Sequence, residues 1–470
     1  MRRWLAFAWL LCSPSAWAAL QADTAWEIRP ANGADTNGAC YDTGGAGTDY
    51  SKQNGAELSL TDLAQTLSST TLTSATGGFT SAMVDNCIRI SAEGTGPFTL
   101  AYYEITAFTN TNTVTLDRTA CSTANCSGGT GAVGGAGASF EGPATNDISD
   151  SLVAGNKVWV KNEAWNEAVV LTVDGTAAAP IVIEGYNTSR GDLDFDPSTW
   201  ANRPTNDRAN AAGVGITLSG LLSYQIKYIR VTRAGGDGFG FITTGLDDQF
   251  IGCRADLCGG DGFDGIGTNS AIWLACEADN NTGRGINNAS VGPVISCYLH
   301  DNTNNGVQAP NRGLFSSIID TNSADGIAGT TAMGEIVGNT VDGNTGAATD
   351  GLACTTPGGG VSVWINNIFS NNGNYGVNAT DGDSVWADYN NYDSNVSGAR
   401  NNFPTGPNDQ ALASQFTGRA AGDFSIGTNL KALGFPGVFP GALSTGYVDI
   451  GAVQRQEAGG ASAYTWVGSQ

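Results

Sequence analysis

Basic side chains are scarce in this sequence. It holds one histidine, His300, and only five lysines, Lys52, Lys157, Lys161, Lys227 and Lys431. Lys and Arg together number 21 against 44 Asp and Glu, for a formal net charge of −23. So acidic a surface repels polyanions at long range, which argues against nucleic acid as a partner and against acidic polysaccharides unless cations bridge them. Long apolar runs are missing too. The run from Trp4 to Leu11 falls well short of the ~20 residues that span a bilayer, and no other stretch qualifies, so no transmembrane segment is expected. Strong helix formers do not occur in long runs. In their place stand 66 glycines and many Asn, Asp and Thr residues, the composition of an all-β, turn-rich chain.

What is present is a repeat. Over residues 226–377 a Gly followed by a large apolar residue keeps returning: Gly238-Phe239, Gly262-Phe263, Gly285-Ile286, Gly306-Val307, Gly326-Ile327, Gly351-Leu352 and Gly376-Val377. The spacings are 24, 23, 21, 20, 25 and 25. A period in this range means stacked supersecondary units. Stacked coils place equivalent residues in columns whose neighbours sit about 4.8 Å apart.

Nine residues before the Gly stand Ile229, Cys253, Cys276, Cys297 and Ser317, and two further on Val231, Ala255, Ala278, Leu299 and Ile319. Both columns are small or apolar, so both are expected to point inward. Parallel side-chain vectors make this buried cysteine ladder unsuited to disulfides and to a tetrahedral metal site. In the longer coils the same pair is Asn339 with Val341 and Asn367 with Phe369. Four residues before the Gly stand Asn281, Asn302, Asn322 and Asn372, with Asn344 seven before it in a longer coil, preceded by Ala234 and Cys258. This reads as an asparagine ladder at a turn, its amides satisfying backbone groups that bending buries.

Two columns remain. Eight residues before the Gly come Arg230, Arg254, Glu277 and Tyr298, and six before come Thr232, Asp256, Asp279, His300, Asp320 and, in a longer coil, Asp342. Strand alternation puts both on the same solvent face. His300 is expected between Asp279 and Asp320, both raising its pKa. Asp256, Asp279, His300 and Asp320 form the candidate catalytic set, because neighbouring carboxylates can hold a general acid beside a base. The same oxygens suit Ca²⁺ chelation. Arg230, Arg254, Glu277 and Tyr298 form the candidate ligand-binding set. The competing account is structural, since Asp just ahead of an Asn turn favours the turn by itself.

Residues 259–266 read GGDGFDGI and match the G-G-x-G-x-D-x-U nonapeptide of calcium-binding β-rolls, which makes Asp261 and Asp264 candidate Ca²⁺ ligands. That motif binds in tandem, and the neighbouring copy, Gly235-Gly236-Asp237-Gly238-Phe239, continues with Gly240 in place of Asp. The alternative is an ordinary coil turn.

The start of the chain reads as a secretory signal peptide: basic Arg2 and Arg3, an apolar core, then Ala16-Trp17-Ala18 as an A-x-A cleavage site. Export permits disulfides. Nine cysteines remain after processing, and Cys121 with Cys126 and Cys40 with Cys87 are candidate pairs, although sequence alone does not decide connectivity. Residues 20–145 differ from the repeat, with strand-like pieces around Cys87–Ile90, Tyr102–Ile105 and Thr113–Leu116, and a short helix or turn at Asp62–Leu67.

Several stretches resemble known families. GTDYS (47–51), GGFTSAMVDN (77–86) and TNTVTLDR (111–118) resemble an N-terminal segment attached to β-helical proteins of phage and bacteria. AGNKVWVKNEAWNE (154–167) and GTAAAPIVIEGYN (175–187) resemble the opening coils of right-handed parallel β-helices of the pectate-lyase-like superfamily, with Asn156 where that pattern has Asp. The resemblance implies the fold over roughly residues 146–400 and does not by itself imply the chemistry. Of the motifs that polygalacturonase-like members carry, only a D-D is matched, by Asp247-Asp248, and His300 lies in Y-L-H-D in place of G-H-G. Lyases of the fold use Lys or Arg as base beside Ca²⁺ or a second basic residue. Lys227, Arg230, Arg233 and Arg254 are available for that role, but no recognisable motif pairs them. Residues 447–454, YVDIGAVQ, resemble the D-I-G-A-x-[EQ] ending of many secreted bacterial β-helices.

The expected organisation is a signal peptide at 1–18, an N-terminal β-module with a Gly-rich join at 19–145, a right-handed single-stranded parallel β-helix at 146–400, and a C-terminal cap and tail at 401–470. The expected protein is secreted or at the cell surface, with its oligomeric state open. It binds an extended carbohydrate polymer. The alternatives are a polysaccharide lyase or glycoside hydrolase acting on the Asp/His face, and a structural appendage or phage-type fibre.

Overall fold

The computed structural model describes residues 20–142, 147–194, 201–219, 223–241, 247–265, 271–287, 292–329, 333–346, 348–354, 362–380, 385–414, 416–435 and 449–454. The signal-peptide region, Ile266 of the β-roll motif, Tyr447, Val448 and the tail from 455 lie outside them.

The chain forms the expected parallel β-helix, built from three sheets of twelve, ten and ten strands. The second sheet carries the outward columns. Its strands are Ala164–Trp165, Thr205–Asp207, Arg230–Thr232, Arg254–Asp256, Glu277–Asp279, Tyr298–His300, Ile318–Asp320, Thr340–Asp342, Ile368–Ser370 and Asn391–Asp393, paired in parallel and in that order. The register is the one the repeat dictates: Arg230 opposite Arg254, then Arg254 opposite Glu277, Glu277 opposite Tyr298, and His300 opposite Asp320.

Two tight corners bound each strand of this sheet. Ahead of the strands a left-handed residue stands at Tyr228, Gly252, Ala275, Ser296, Ser316, Gly338, Asn366 and Tyr389, with φ between 48° and 66°. Behind them stand Arg233, Leu257, Asn280, Asp301, Thr321, Gly343, Asn371 and Ser394, with φ between 52° and 64°. Most are not glycine, and each costs on the order of 1 kcal/mol in backbone strain. The residue after each corner turns inward and offsets that strain. Asn281, Asn302, Asn322, Asn344 and Asn372 each donate from the backbone N–H and from Nδ2 to the next asparagine's Oδ1, at 2.8–3.3 Å, ending on Asn395. The opposite corner runs Cys253, Cys276, Cys297, Ser317, Asn339, Asn367 and Asn390, so the cysteine column grades into a second asparagine ladder. Cys253, Cys258, Cys276 and Cys297 are free thiols, and they and Cys354 are buried.

Ahead of the helix, six strands close a barrel in the order Leu58–Gln65, Thr71–Ser74, Thr113–Leu116, Ala101–Asn110, Cys87–Ala92 and Cys126–Val133. The helix or turn expected at Asp62–Leu67 is largely strand, because pairing with Thr71–Ser74 and Cys126–Val133 on its two sides outweighs local preference. Cys40–Cys87 and Cys121–Cys126 are disulfides. Thr24–Ile28 pairs in parallel with Lys157–Lys161, so the first sheet of the solenoid begins upstream of the barrel in sequence.

The C-terminal segment does more than cap the last coil. Gln410 bridges to Asn391, and residues up to Ser414 hydrogen-bond Asn391 and Asp393 at the end of the second sheet. The chain then folds back as a hairpin, Phe416–Gly418 with Asp423–Ile426, over the outer face of the same sheet. Arg419 pairs with Asp342, Phe424 meets Tyr298, and Ile426, Leu430 and Ile450 cluster on Ile368. The carboxylate of Asp342 is fully buried, whereas Arg419 is 42 % exposed. Arg419→Ala should therefore loosen the hairpin by roughly 2–3 kcal/mol, less than a fully buried pair. Faster proteolysis between residues 410 and 430, with the rest of the chain unchanged, is the expected result.

Candidate functional site

The expected face exists, and its groups are tied together in one repeating way. Each residue of the first outward column reaches diagonally to the second column of the next rung. Arg230 donates from Nε and Nη2 to both oxygens of Asp256, at 2.7 and 2.6 Å. Arg254 does the same to Asp279, at 2.9 Å for each bond. One rung on, the polarity reverses: Glu277 holds His300 Nε2 at 3.3 Å. Next, Tyr298 stacks on His300 with ring centroids 3.9 Å apart and meets the Asp320 carboxyl.

Direction and exposure part company here. Asp256, Asp279 and Asp320 point outward as expected but are only 2 %, 3 % and 6 % exposed, so the expectation of solvent-facing carboxylates needs correction. The arginine side chains lie over the first two and the hairpin covers the third. Arg230, Arg254, Tyr298 and His300 remain partly exposed, and Glu277 is 7 % exposed.

His300 stands between Asp279 and Asp320 as expected, but its hydrogen bonds go to other carboxylates. Its Nδ1 meets Asp301 Oδ2 at 2.8 Å and its Nε2 meets Glu277. Burial works against the imidazolium, but hydrogen bonds to Asp301 and Glu277 outweigh it, and with Asp279 nearby the pKa rises to about 10. At neutral pH His300 is a cation with no free lone pair. Asp301 is held below the usual carboxylate range by that imidazolium. Burial pushes Asp320 up to about 7 against the opposing pull of His300, and pushes Asp279 up against the pull of Arg254. Asp301 was not among the expected site residues. It is the left-handed corner residue, where a side chain would ordinarily be read as turn chemistry alone.

The two candidate calcium ligands sit at the third sheet. Asp261 Oδ1 accepts from the Arg284 N–H at 2.6 Å, and Asp237 Oδ1 accepts from the Asp261 N–H at 2.7 Å. Asp325 and Asp350 repeat the pattern three coils beyond Asp261. These aspartates cap the next rung's backbone. Asp264 accepts from Asn287 at 2.8 Å, and its pKa rises to about 7 through burial and the nearby Asp237 and Asp261. Among the described residues, the groups of acidic, His or Cys ligands within 4.8 Å of one another are Glu277–Asp279–His300 and Asp42–Asp85–Glu104, and Asp261 and Asp264 belong to neither. At Glu277–Asp279–His300 an ion would compete with the His300 proton and with Arg254, which lies 2.9 Å from Asp279 and 3.7 Å from Glu277. A donor set already neutralised in this way does not fit Ca²⁺, which takes six to eight oxygens.

A shallow pocket of about 230 Å³ lies elsewhere, on the outer side of the first sheet, lined by Ser223, Gln225, Asp247, Gln249 and neighbours. It shares no residue with the ladder. Among the described residues no helix is long and apolar enough to cross a membrane.

These features define a parallel β-helix with a self-paired ionic ladder on one face. No family model matches the chain, and no curated protein sequence matches it. Solved structures that it is similar to include the pectate lyase Pel9A, at 17 % identity over 66 % of this chain and 90 % of that one, with a TM-score of 0.48. A rhamnogalacturonan lyase matches at 12 % identity over 60 % of this chain and 86 % of that one, TM-score 0.35. The A-module of the Azotobacter vinelandii mannuronan C-5 epimerase AlgE4 matches at 13 % identity over 55 % and 91 %, TM-score 0.30.

Proposed function

We propose that the open half of the second sheet's outer face binds an extended carbohydrate polymer. The observation that carries this reading is the ladder itself: one polar or aromatic group per rung, from Arg230 to His300, with Arg230, Arg254, Tyr298 and His300 partly exposed. Sugars bring alternating donors and acceptors at a similar linear repeat, and Tyr298 adds an apolar platform. Pairing matters for the energetics. Arginines already neutralised by Asp256 and Asp279 lose less solvation on binding a polar ligand than free charges would, and their planar forks stay oriented.

The two disulfides support placing the protein in an oxidising compartment, outside the cytoplasm. A glycan array identifies the polymer. Arg254→Ala and Tyr298→Ala should then each weaken binding about 10- to 100-fold, the effect of removing an oriented hydrogen-bonding or stacking anchor. Undiminished binding by both variants would sink the proposal.

One observation favours catalysis as a second reading. Asp320, with its pKa near 7, sits beside Tyr298 and a protonated His300, which is the environment of a general acid. Product assays on uronate polymers and neutral glycans test it. Turnover that His300→Ala or Asp279→Asn abolishes establishes a lyase or hydrolase, and binding without turnover leaves the binder.

A further inference from the structure

The hairpin that covers half of the face also closes one end of the open half. Upstream, Arg230 and Arg254 are partly exposed, and Glu277, 7 % exposed, lies between Arg254 and His300. Downstream, outward residues are sealed: Ile318 is 5 % exposed, and Thr340, Asp342, Ile368 and Ser370 are each 0 %. The boundary falls at Tyr298. The Gly422 backbone lies against it so closely that a Cβ there would come within 3.3 Å of the Tyr298 hydroxyl. The Phe424 ring stands 6.4 Å from the Tyr298 ring at 70°, and Phe416 backs Phe424 at 5.1 Å. Behind this wall the Arg419–Asp342 pair pins the turn to the sheet.

A polymer lying across the rungs therefore runs along the helix axis over Glu277 and Arg254 and meets the wall at Tyr298. An internal stretch of a long chain would have to bend off the face there. A terminal sugar would not, because it ends against Gly422 and Phe424 and stacks on Tyr298. We infer that the face recognises chain ends, with Gly422, Phe424 and Tyr298 as the specificity-determining stop. The inference rests on the carbohydrate-binding reading above and adds the mode of recognition.

The test is a competition experiment on the full-length protein with size fractions of two linear polymers, a polygalacturonate and a neutral β-glucan. Competitors are compared at equal mass. Recognition of ends makes potency follow the number of chains, so each halving of chain length gives about a twofold gain by mass action. Potency that is independent of chain length at equal mass overturns the inference while leaving carbohydrate binding intact. Binding to neither polymer, nor to any glycan on an array, overturns the underlying reading and this one with it. Phe424→Ala combined with Arg419→Ala, checked for an unchanged solenoid by circular dichroism, should move the length dependence towards equal potency. If that variant does not fold, the length dependence of the wild-type protein still decides.

Discussion

Asn322→Ala is expected to be the most destabilising single change in the solenoid short of a proline. Asn322 is fully buried in the middle of the ladder. Its Oδ1 accepts from the backbone and the side chain of Asn302, at 3.1 and 3.0 Å. Its Nδ2 donates to the carbonyls of Leu299 and Asp320 and to Asn344 Oδ1, at 3.0 to 3.1 Å. Alanine removes all of these and leaves the Asn302 N–H without a partner and out of reach of water. A loss of about 3–5 kcal/mol follows, because stranded buried groups cost more than the net worth of the bonds they made. In a stacked array the damage is also positional: each coil touches only its neighbours, so a weakened central rung uncouples the two halves. Asn281→Ala at the ladder's start is the internal comparison. Its Oδ1 takes only the Cys258 N–H, and the column already runs apolar beyond it, through Cys258 to Ala234. The loss there should be smaller by on the order of 1–2 kcal/mol. Urea denaturation of the two variants measures this. Equal midpoints, or an Asn322→Ala midpoint that matches the wild type, would show that the ladder does not carry the stability assigned to it.

That ladder was legible in the sequence, and so was the inward Cys/Ser/Asn column, for one reason. Stacking multiplies a local signal: a turn that needs an inward amide needs it on every coil, and seven coils make a column visible where one turn is noise. The register of the second sheet followed from the same arithmetic. Exposure did not. Outward direction is a property of the strand, whereas burial depends on what lies on top, and the cover comes from residues 416–426, far along the chain and without repeat. A signal for it did exist. Followed past Tyr298, the first outward column reads Ile318, Thr340, Ile368, and an apolar residue on an outward face implies a cover. The column was read only as far as its charged members. The partners of His300 were missed for a related reason. Asp301 is adjacent in sequence and Glu277 lies in the other column, so a one-column reading finds the flanking Asp279 and Asp320 but not the hydrogen-bond partners. At Asp261 the β-roll letters fall on a residue whose Oδ1 accepts from the next coil's backbone N–H, as an ordinary coil turn would have it.

The stability of this face should depend on pH through Asp320 near pH 7 and through His300 above it, and the sign of the His300 contribution is set by its raised pKa. A group whose folded pKa lies above its unfolded value stabilises fully below the unfolded pKa and loses that contribution as the pH rises through the folded one. For His300 the ordinary value is 6.5 and the folded value is about 10. The imidazolium between Glu277 and Asp301 thus contributes in full at pH 6 and has lost its advantage above pH 10. The span corresponds to on the order of 3–5 kcal/mol, an upper figure because the partner carboxylates relax once the charge is gone. His300→Gln keeps a polar side chain but no titration. At pH 6 the variant should be less stable than wild type by most of that amount, with Glu277 left on a nearly buried face beside Arg254 as its remaining cation. At pH 10.5 the two should converge. The tyrosines and lysines that titrate in the same range are common to both proteins and cancel in the difference. A direct check is available because the chain has one histidine: a single imidazole resonance, followed by NMR from pH 5 to 11, reports its pKa without assignment. A midpoint near 6.5 would remove the ion triad and, with it, the argument that this face is neutralised before any ligand arrives.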